Sequence, residues 1–232
     1  MELNKNDEDL YKELIFFFNK YMSIDTDDIN DIKKYFKHKF CGKNIILEEK
    51  GSVTNNLYFV ISGFVHVYTE IERMDETIKI TTLINCPASL ITIFGSFNNE
   101  VPSGEYLKTI TKVSLLIISR EDFIKLFFKN DKWKEVFRQL FELGQIYNEK
   151  RFKDIIKLNA EERYLNLIKT QPDLINNIPT KILASYIGIR PQSLSRLKKN
   201  SSLILGNIDK KMGKHKAYPI TINKQKYNDN SV

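Results

Sequence analysis

Between Phe40 and Ile118 the hydrophobic pattern runs in short β-branched and aromatic bursts with a period near two, and this stretch limits the fold most. Asn44–Leu47, Leu57–Ile61, Phe64–Tyr68, Ile78–Ile84, Leu90–Phe94, Tyr106–Ile110 and Val113–Ile118 each read as a strand. Lys50-Gly51, Ser62-Gly63, Gly95-Ser96 and Pro102-Ser103-Gly104 supply the turns between them. Many short strands at close spacing inside one segment predict a sandwich or a small barrel.

Helical periods flank that segment. Leu10, Leu14, Phe17, Phe18 and Tyr21 recur at spacings of three and four, and Ile24 to Phe36 reads as a second helix. Asp25, Asp27 and Asp31 resemble part of a calcium loop, but the glycine and closing glutamate are absent at the required offsets. Asp25, Asp27 and Asp28 are therefore read as the cap and charge of a helix start. Ser119, with Asp122 three residues on, opens another helix after the strands.

A long helix follows, in which Trp133, Phe137, Leu140, Gly144, Tyr147 and Arg151 alternate at spacings of four and three. The chain's own barrel or a second copy could cover such a seam. Gly144 would let a second helix approach closely, and Trp133, Phe137, Leu140, Gly144 and Tyr147 are read as a dimer interface. Asn159 and Glu162 form a capping box that starts a new domain after Leu158. The expected division is 1–130 for the N-terminal helices and barrel, 131–158 for the dimerisation helix, 159–205 for a helix-turn-helix, and 206–232 for a basic tail, as a wing remnant or a disordered segment.

The helix-turn-helix pattern lies between Pro179 and Lys199. Leu183 and Ile187 share one helix face and Leu194 and Leu197 another, so both stripes can turn inward together. Ala184 allows close crossing, Gly188 can take the left-handed conformation, and Pro191 suits a first helical turn. Gln192, Arg196 and Lys199 fall on the side opposite the leucines, flanked by Ser193 and Ser195. Arginine and glutamine can fork onto base edges, while serine hydroxyls and lysines suit phosphates.

Charge agrees with that assignment. The net charge is +7, yet residues 159–232 hold 13 Lys/Arg against 5 Asp/Glu, so the surplus lies with the helix-turn-helix. A polyanion is the partner such asymmetry favours. Cys41 and Cys86 are too few for a disulfide framework or a four-cysteine cluster within one chain, which suits a reducing cytoplasm. The N-terminal segment does not read as a signal peptide, and no apolar run approaches a membrane span. His66, alone on an alternating strand, reads as a strand residue and not as a haem ligand. An enzyme is disfavoured, because no glycine-rich phosphate loop, metal-spaced His/Cys pair or nucleophile elbow occurs.

In this order, strands, long helix and helix-turn-helix, the chain resembles the Crp/Fnr family of bacterial transcription regulators over residues 25–199. Tyr58-Phe-Val-Ile-Ser-Gly-Phe-Val-His-Val-Tyr is similar to its strand–Gly–strand hairpin, and Leu116-Ile-Ile-Ser-Arg-Glu-Asp-Phe to the end of its sensor barrel. Ala160-Glu-Glu-Arg-Tyr-Leu, Ile178 to Ile189 and Ser193-Leu-Ser-Arg resemble the branch common in Bacteroidetes-type bacteria. The resemblance implies an α+β chain: a cyclic-nucleotide-binding-like β-barrel of jelly-roll type, a long dimerisation helix and a C-terminal winged helix-turn-helix. It also implies that Gln192 and Arg196 read bases and that Ser193 contacts phosphate. Arg190, Ser195, Lys198 and Lys199 complete the expected DNA-binding set, although Arg190 stands where the branch often has Thr or Ser.

One departure concerns the effector. Members that bind cyclic nucleotides pair the cyclic phosphate with an arginine, but Phe94-Gly-Ser-Phe-Asn-Asn-Glu-Val-Pro-Ser-Gly-Glu contains none, and Ser96 replaces a glutamate. The reading is a cytoplasmic, homodimeric, sequence-specific regulator of double-stranded DNA, with no cofactor, no affinity for cyclic AMP, and an unknown effector or none. RNA polymerase is a further expected partner. The alternative is a barrel that binds a small molecule or a protein, joined to a helix-turn-helix that has stopped reading DNA.

Overall fold

The computed structural model describes residues 5–74 and 76–208, which form two compact units dividing between Lys153 and Asp154. Two helices open the first unit, α1 (Lys5–Phe18) and α2 (Thr26–Tyr35). Asp25 caps α2, accepting from the Asp28 N–H while the Asp28 carboxylate accepts from the Asp25 N–H, so the aspartates start a helix as expected. Eight strands follow: β1 (Lys37–Cys41), β2 (Ile46–Glu48), β3 (Asn56–Ser62), β4 (Val65–Arg73), β5 (Glu76–Asn85), β6 (Ser89–Ile91), β7 (Tyr106–Thr109) and β8 (Val113–Ser119). A short helix, α3 (Phe94–Asn99), interrupts them after β6.

The strands form two four-stranded antiparallel sheets, ordered β1-β8-β3-β6 and β2-β7-β4-β5. Side-chain alternation explains how they stack. Tyr58, Val60, Val113 and Leu115 from the first sheet meet Val65, Val67 and Leu107 from the second, which fills the space between the sheets. Leu57, Phe59, Leu116 and Ile118 point the other way, into a second core roofed by helices. Strand β3 is covered on both faces, so Leu57 to Val60 are all buried and its sequence is continuously apolar instead of alternating.

The helical roof consists of α1, α2, α4 (Arg120–Phe127) and the first turns of α5 (Asp131–Lys157). Ser119 caps α4 by accepting from the Asp122 N–H. Phe18, Trp133 and Phe137 form the aromatic centre of the roof; Phe18 meets Trp133 edge-on at 5.3 Å, and Trp133 stacks on Phe137 at 5.8 Å. Lys129 pairs with Asp31 and Lys132 with Asp28, tying α2 to the α4–α5 corner.

The second unit holds the end of α5, α6 (Ala160–Thr170), α7 (Pro172–Asn177), α8 (Thr180–Tyr186) and α9 (Pro191–Ile208). Asn159 and Glu162 form the expected capping box on α6. The division nevertheless falls five residues before that cap. The last turn of α5 is held by α6 side chains: Arg163 donates to the Leu158 and Ile155 carbonyls, and Asn166 to the Asp154 carboxylate. Helix α9 continues through Ile208, so the start of the expected tail is helical. The expected wing and the rest of the basic tail lie outside the described residues.

Candidate functional site

The corner between α8 and α9 positions the candidate DNA-reading side chains. Leu183, Ala184, Ile187 and Leu194 are buried, so the inward stripes meet as their spacing predicts. Gly188 has a φ of +72°, a conformation a side chain would strain. Its N–H donates to the Ser185 carbonyl and the Ile189 N–H to the Ala184 carbonyl, the bond pair of a Schellman stop. Arg163 Nε donates to the Ile187 carbonyl at 2.8 Å, bringing a cation to the negative end of α8. No role for Arg163 follows from the sequence; its place beside the buried Tyr164 on α6 is the one signal that it stands near the inner face.

On α9, Gln192, Ser193, Ser195, Arg196 and Lys199 are exposed, as is Arg190 before it. Lys198 is half-buried beside the Leu197 stripe, so it stands at the rim of that face and not at its centre. The Ser195 hydroxyl donates to the Pro191 carbonyl at 3.0 Å, which commits its proton and leaves its oxygen as an acceptor. The Arg190 carbonyl accepts the Leu194 N–H at 3.1 Å, so Arg190 occupies the capping position. Its side chain has no acceptor for the first-turn N–H groups. Those groups point outward with the positive end of the helix, an arrangement that suits phosphate oxygens.

In the barrel, the segment from Phe94 to Glu105, which the resemblance aligns with the phosphate cassette, is bound to its own chain. The Ser96 hydroxyl accepts from the Thr54 N–H at 2.9 Å and donates to the Val101 carbonyl at 2.6 Å. The Ser103 hydroxyl donates to the Glu105 carbonyl, and the Glu105 carboxylate accepts from Thr82 at 2.6 Å. The arginine that reaches this segment is Arg120, missed in the sequence because it lies in a later element; its guanidinium is engaged by the Phe97 carbonyl and by Glu100 at 2.7 Å. Between Phe94 and Glu105 the segment itself contains no arginine. His66 is buried and stacked on Tyr68 at 5.0 Å. Loss of water around it, with Lys108 and Lys79 nearby, lowers its pKa to about 4, so the ring is neutral.

The seam on α5 divides. Trp133 and Phe137 have no exposed surface and lie in the roof core, which removes them from the expected dimer interface: a side chain enclosed by its own chain has nothing to offer a partner. Arg151 likewise turns inward and donates to the Thr82 carbonyl of β5. Leu140 and Tyr147 are half-buried, Gly144 is exposed, and a Cβ at Gly144 would meet nothing within 4 Å. Ile146, which the seam omitted, is 45 % exposed.

No protein-family model matches the sequence, and no curated protein matches it. Among solved structures, the chain is similar to one from Eubacterium rectale assigned to the Crp/Fnr family of transcriptional regulators, at 14% identity and a TM-score of 0.61, covering 81% of this chain and 88% of that one. It is also similar to the c-di-GMP-responsive global regulator CLP of Xanthomonas campestris, at 18% identity and a TM-score of 0.56, covering 77% and 92%. A cyclic nucleotide-binding domain from Methylobacillus flagellatus matches at 14% identity and a TM-score of 0.53, covering 65% and 86%. The fold is thus one found in Crp/Fnr-type regulators, with a jelly roll of the cyclic-nucleotide-binding kind. Among the described residues, no helix is long and apolar enough to cross a membrane.

Proposed function

We propose that this chain is a sequence-specific DNA-binding transcription regulator that acts as a homodimer and whose barrel takes no cyclic nucleotide. The observation that carries the reading is the exposed face of α9, where Gln192, Arg196 and Lys199 stand over a buried Leu194. In this reading Arg196 and Gln192 meet base edges in the major groove. Lys199, Ser193, Arg190 and the open N–H groups at the start of α9 meet phosphates, and Lys198 supports from the rim.

Selection of bound sequences from random duplex DNA, followed by binding over a salt series, tests it. Arg196→Ala should cost about 1–3 kcal/mol on the selected site and flatten its advantage over scrambled DNA. Lys199→Ala should weaken both DNAs alike and make the slope of log K against log salt shallower by about one. A wild-type protein with no sequence preference would hand the reading to the alternative, a barrel with a silent helix-turn-helix.

The dimer rests on the part of α5 that keeps surface, namely Leu140, Gly144, Tyr147 and Ile146. A glutamate at Ile146 would meet its twin near the two-fold axis and should shift sedimentation from dimer to monomer. For the barrel, calorimetry with millimolar cyclic AMP or cyclic GMP should show no heat of binding. A saturating rise in melting temperature with either nucleotide would contradict it.

A further inference from the structure

Strand β1 lies at the end of its sheet, hydrogen-bonded to β8 on one side with no strand on the other among the described residues. Its residues Lys37, His38, Lys39 and Phe40 are exposed, as are Lys43, Ile45 and Ile46 just after it. Phe40 is 65 % exposed, a large apolar ring standing in water beside charged neighbours. From Ile32 to Leu47 the sequence contains five lysines and no acidic residue. None of those lysines forms an ion pair among the described residues. The Lys37 ammonium instead bonds the Lys34 carbonyl at 2.6 Å, and Lys34 lies over the Tyr35 ring.

Three properties therefore coincide on this edge: an open row of backbone donors and acceptors, a run of unneutralised positive charge, and exposed apolar side chains. Lysines on an edge strand block pairing with a second copy, since like charges would face each other. That excludes self-pairing and selects the opposite charge. A nucleic acid or lipid surface would satisfy the lysines, but neither can pair the open backbone ladder. An extended polypeptide can do both. We propose that β1 forms a docking edge for an acidic, extended segment of a protein partner, which adds a strand to the β1 sheet, seats an apolar side chain beside Phe40 and reaches Lys43 just beyond the strand. This is distinct from the α9 face, which lies in the other unit.

The 232-residue chain can be titrated into a fluorescein-labelled peptide of alternating Glu and Val, read by anisotropy at physiological salt. Saturable binding is expected, about tenfold weaker for Lys39→Glu/Lys43→Glu, in which two exposed pairs are lost, and weaker by at least as much for a Gln-for-Glu peptide, in which every pair is lost. A proline in the middle of the peptide should abolish binding, because it removes a ladder donor. Hydrogen exchange should slow at residues 37–41 when the peptide binds. All the substituted residues are exposed, and an unchanged melting temperature verifies that the variants fold. Absence of saturable binding, or binding indifferent to the proline or to the lysines, overturns the proposal. So does lysine-dependent binding of single-stranded DNA or phosphatidylserine vesicles in place of the peptide, which would make the edge a general polyanion surface.

Discussion

Gly63 ends the β3–β4 turn with a φ of +84°, and a Cβ there would lie 2.2 Å from the Lys112 carbonyl oxygen and 2.8 Å from Val113. Both the backbone conformation and the contact oppose a side chain, and the contact is with main chain that cannot swing away. Gly63→Ala should cost more than about 2 kcal/mol, read from the urea midpoint. A cost below about 0.5 kcal/mol would mean that the turn relaxes freely. His66 gives a prediction with a sign. Its pKa falls from an ordinary value near 6.5 to about 4 on folding, so between these values the unfolded chain binds a proton that the folded chain refuses. Stability from this group is intact above pH 6.5, declines as pH falls to 4, and is flat below, for a loss of about 3 kcal/mol. In urea titrations across that window, the stability difference between wild type and His66→Gln should be constant above pH 6.5 and shift in favour of the variant towards pH 4. A difference that does not change with pH would show that His66 takes up a proton in the folded protein.

At the scale of elements, α5 is enclosed at its start and exposed further along its length. Phe137→Ala should cost about 3–5 kcal/mol, as for an aromatic truncated in a core, whereas Ile146→Glu should leave the melting of the first unit nearly unchanged while dissociating the proposed dimer. Denaturation and sedimentation on the same two variants separate the roles. The alternation of three and four in this helix was legible in the sequence, but periodicity identifies which side is apolar and not what covers it. That is why Trp133 and Phe137 were assigned outward and are found inward. Most of the strands were legible for the opposite reason: Leu57 to Ile61 and Val113 to Ile118 are apolar enough to admit no other reading. Strand β1 was missed because Lys37 to Phe40 are exposed and carry no buried alternation; only its pairing with β8 makes it a strand. The Leu90–Phe94 run was read too long, since Phe94 begins α3 and packs on Phe141 at 4.9 Å instead of continuing the sheet. The exposed face of α9 was legible because a buried leucine and an outward arginine two residues apart on a helix fix both sides at once. The place of Arg120 against α3 was not, since it depends on contacts between elements far apart in sequence.

In the whole molecule, the basic surplus of residues 159–232 sits with the second unit, and the first is close to neutral. Duplex DNA should therefore stabilise the second unit directly, by mass action on the folded form. Hydrogen exchange with and without selected DNA should show slowing concentrated in α8 and α9 and little change in β3, β4 and β8. Uniform slowing across both units would contradict a DNA site confined to the second. The chain has a single tryptophan, and it is Trp133: fully buried, edge-on to Phe18, with an indole N–H that has no hydrogen-bond partner among the described residues. Enclosed by apolar and aromatic side chains, that ring should emit at the blue end of the tryptophan range and resist quenching by iodide. Its colour then reports on one compartment of the protein, shifting to red when the roof over the first sheet opens.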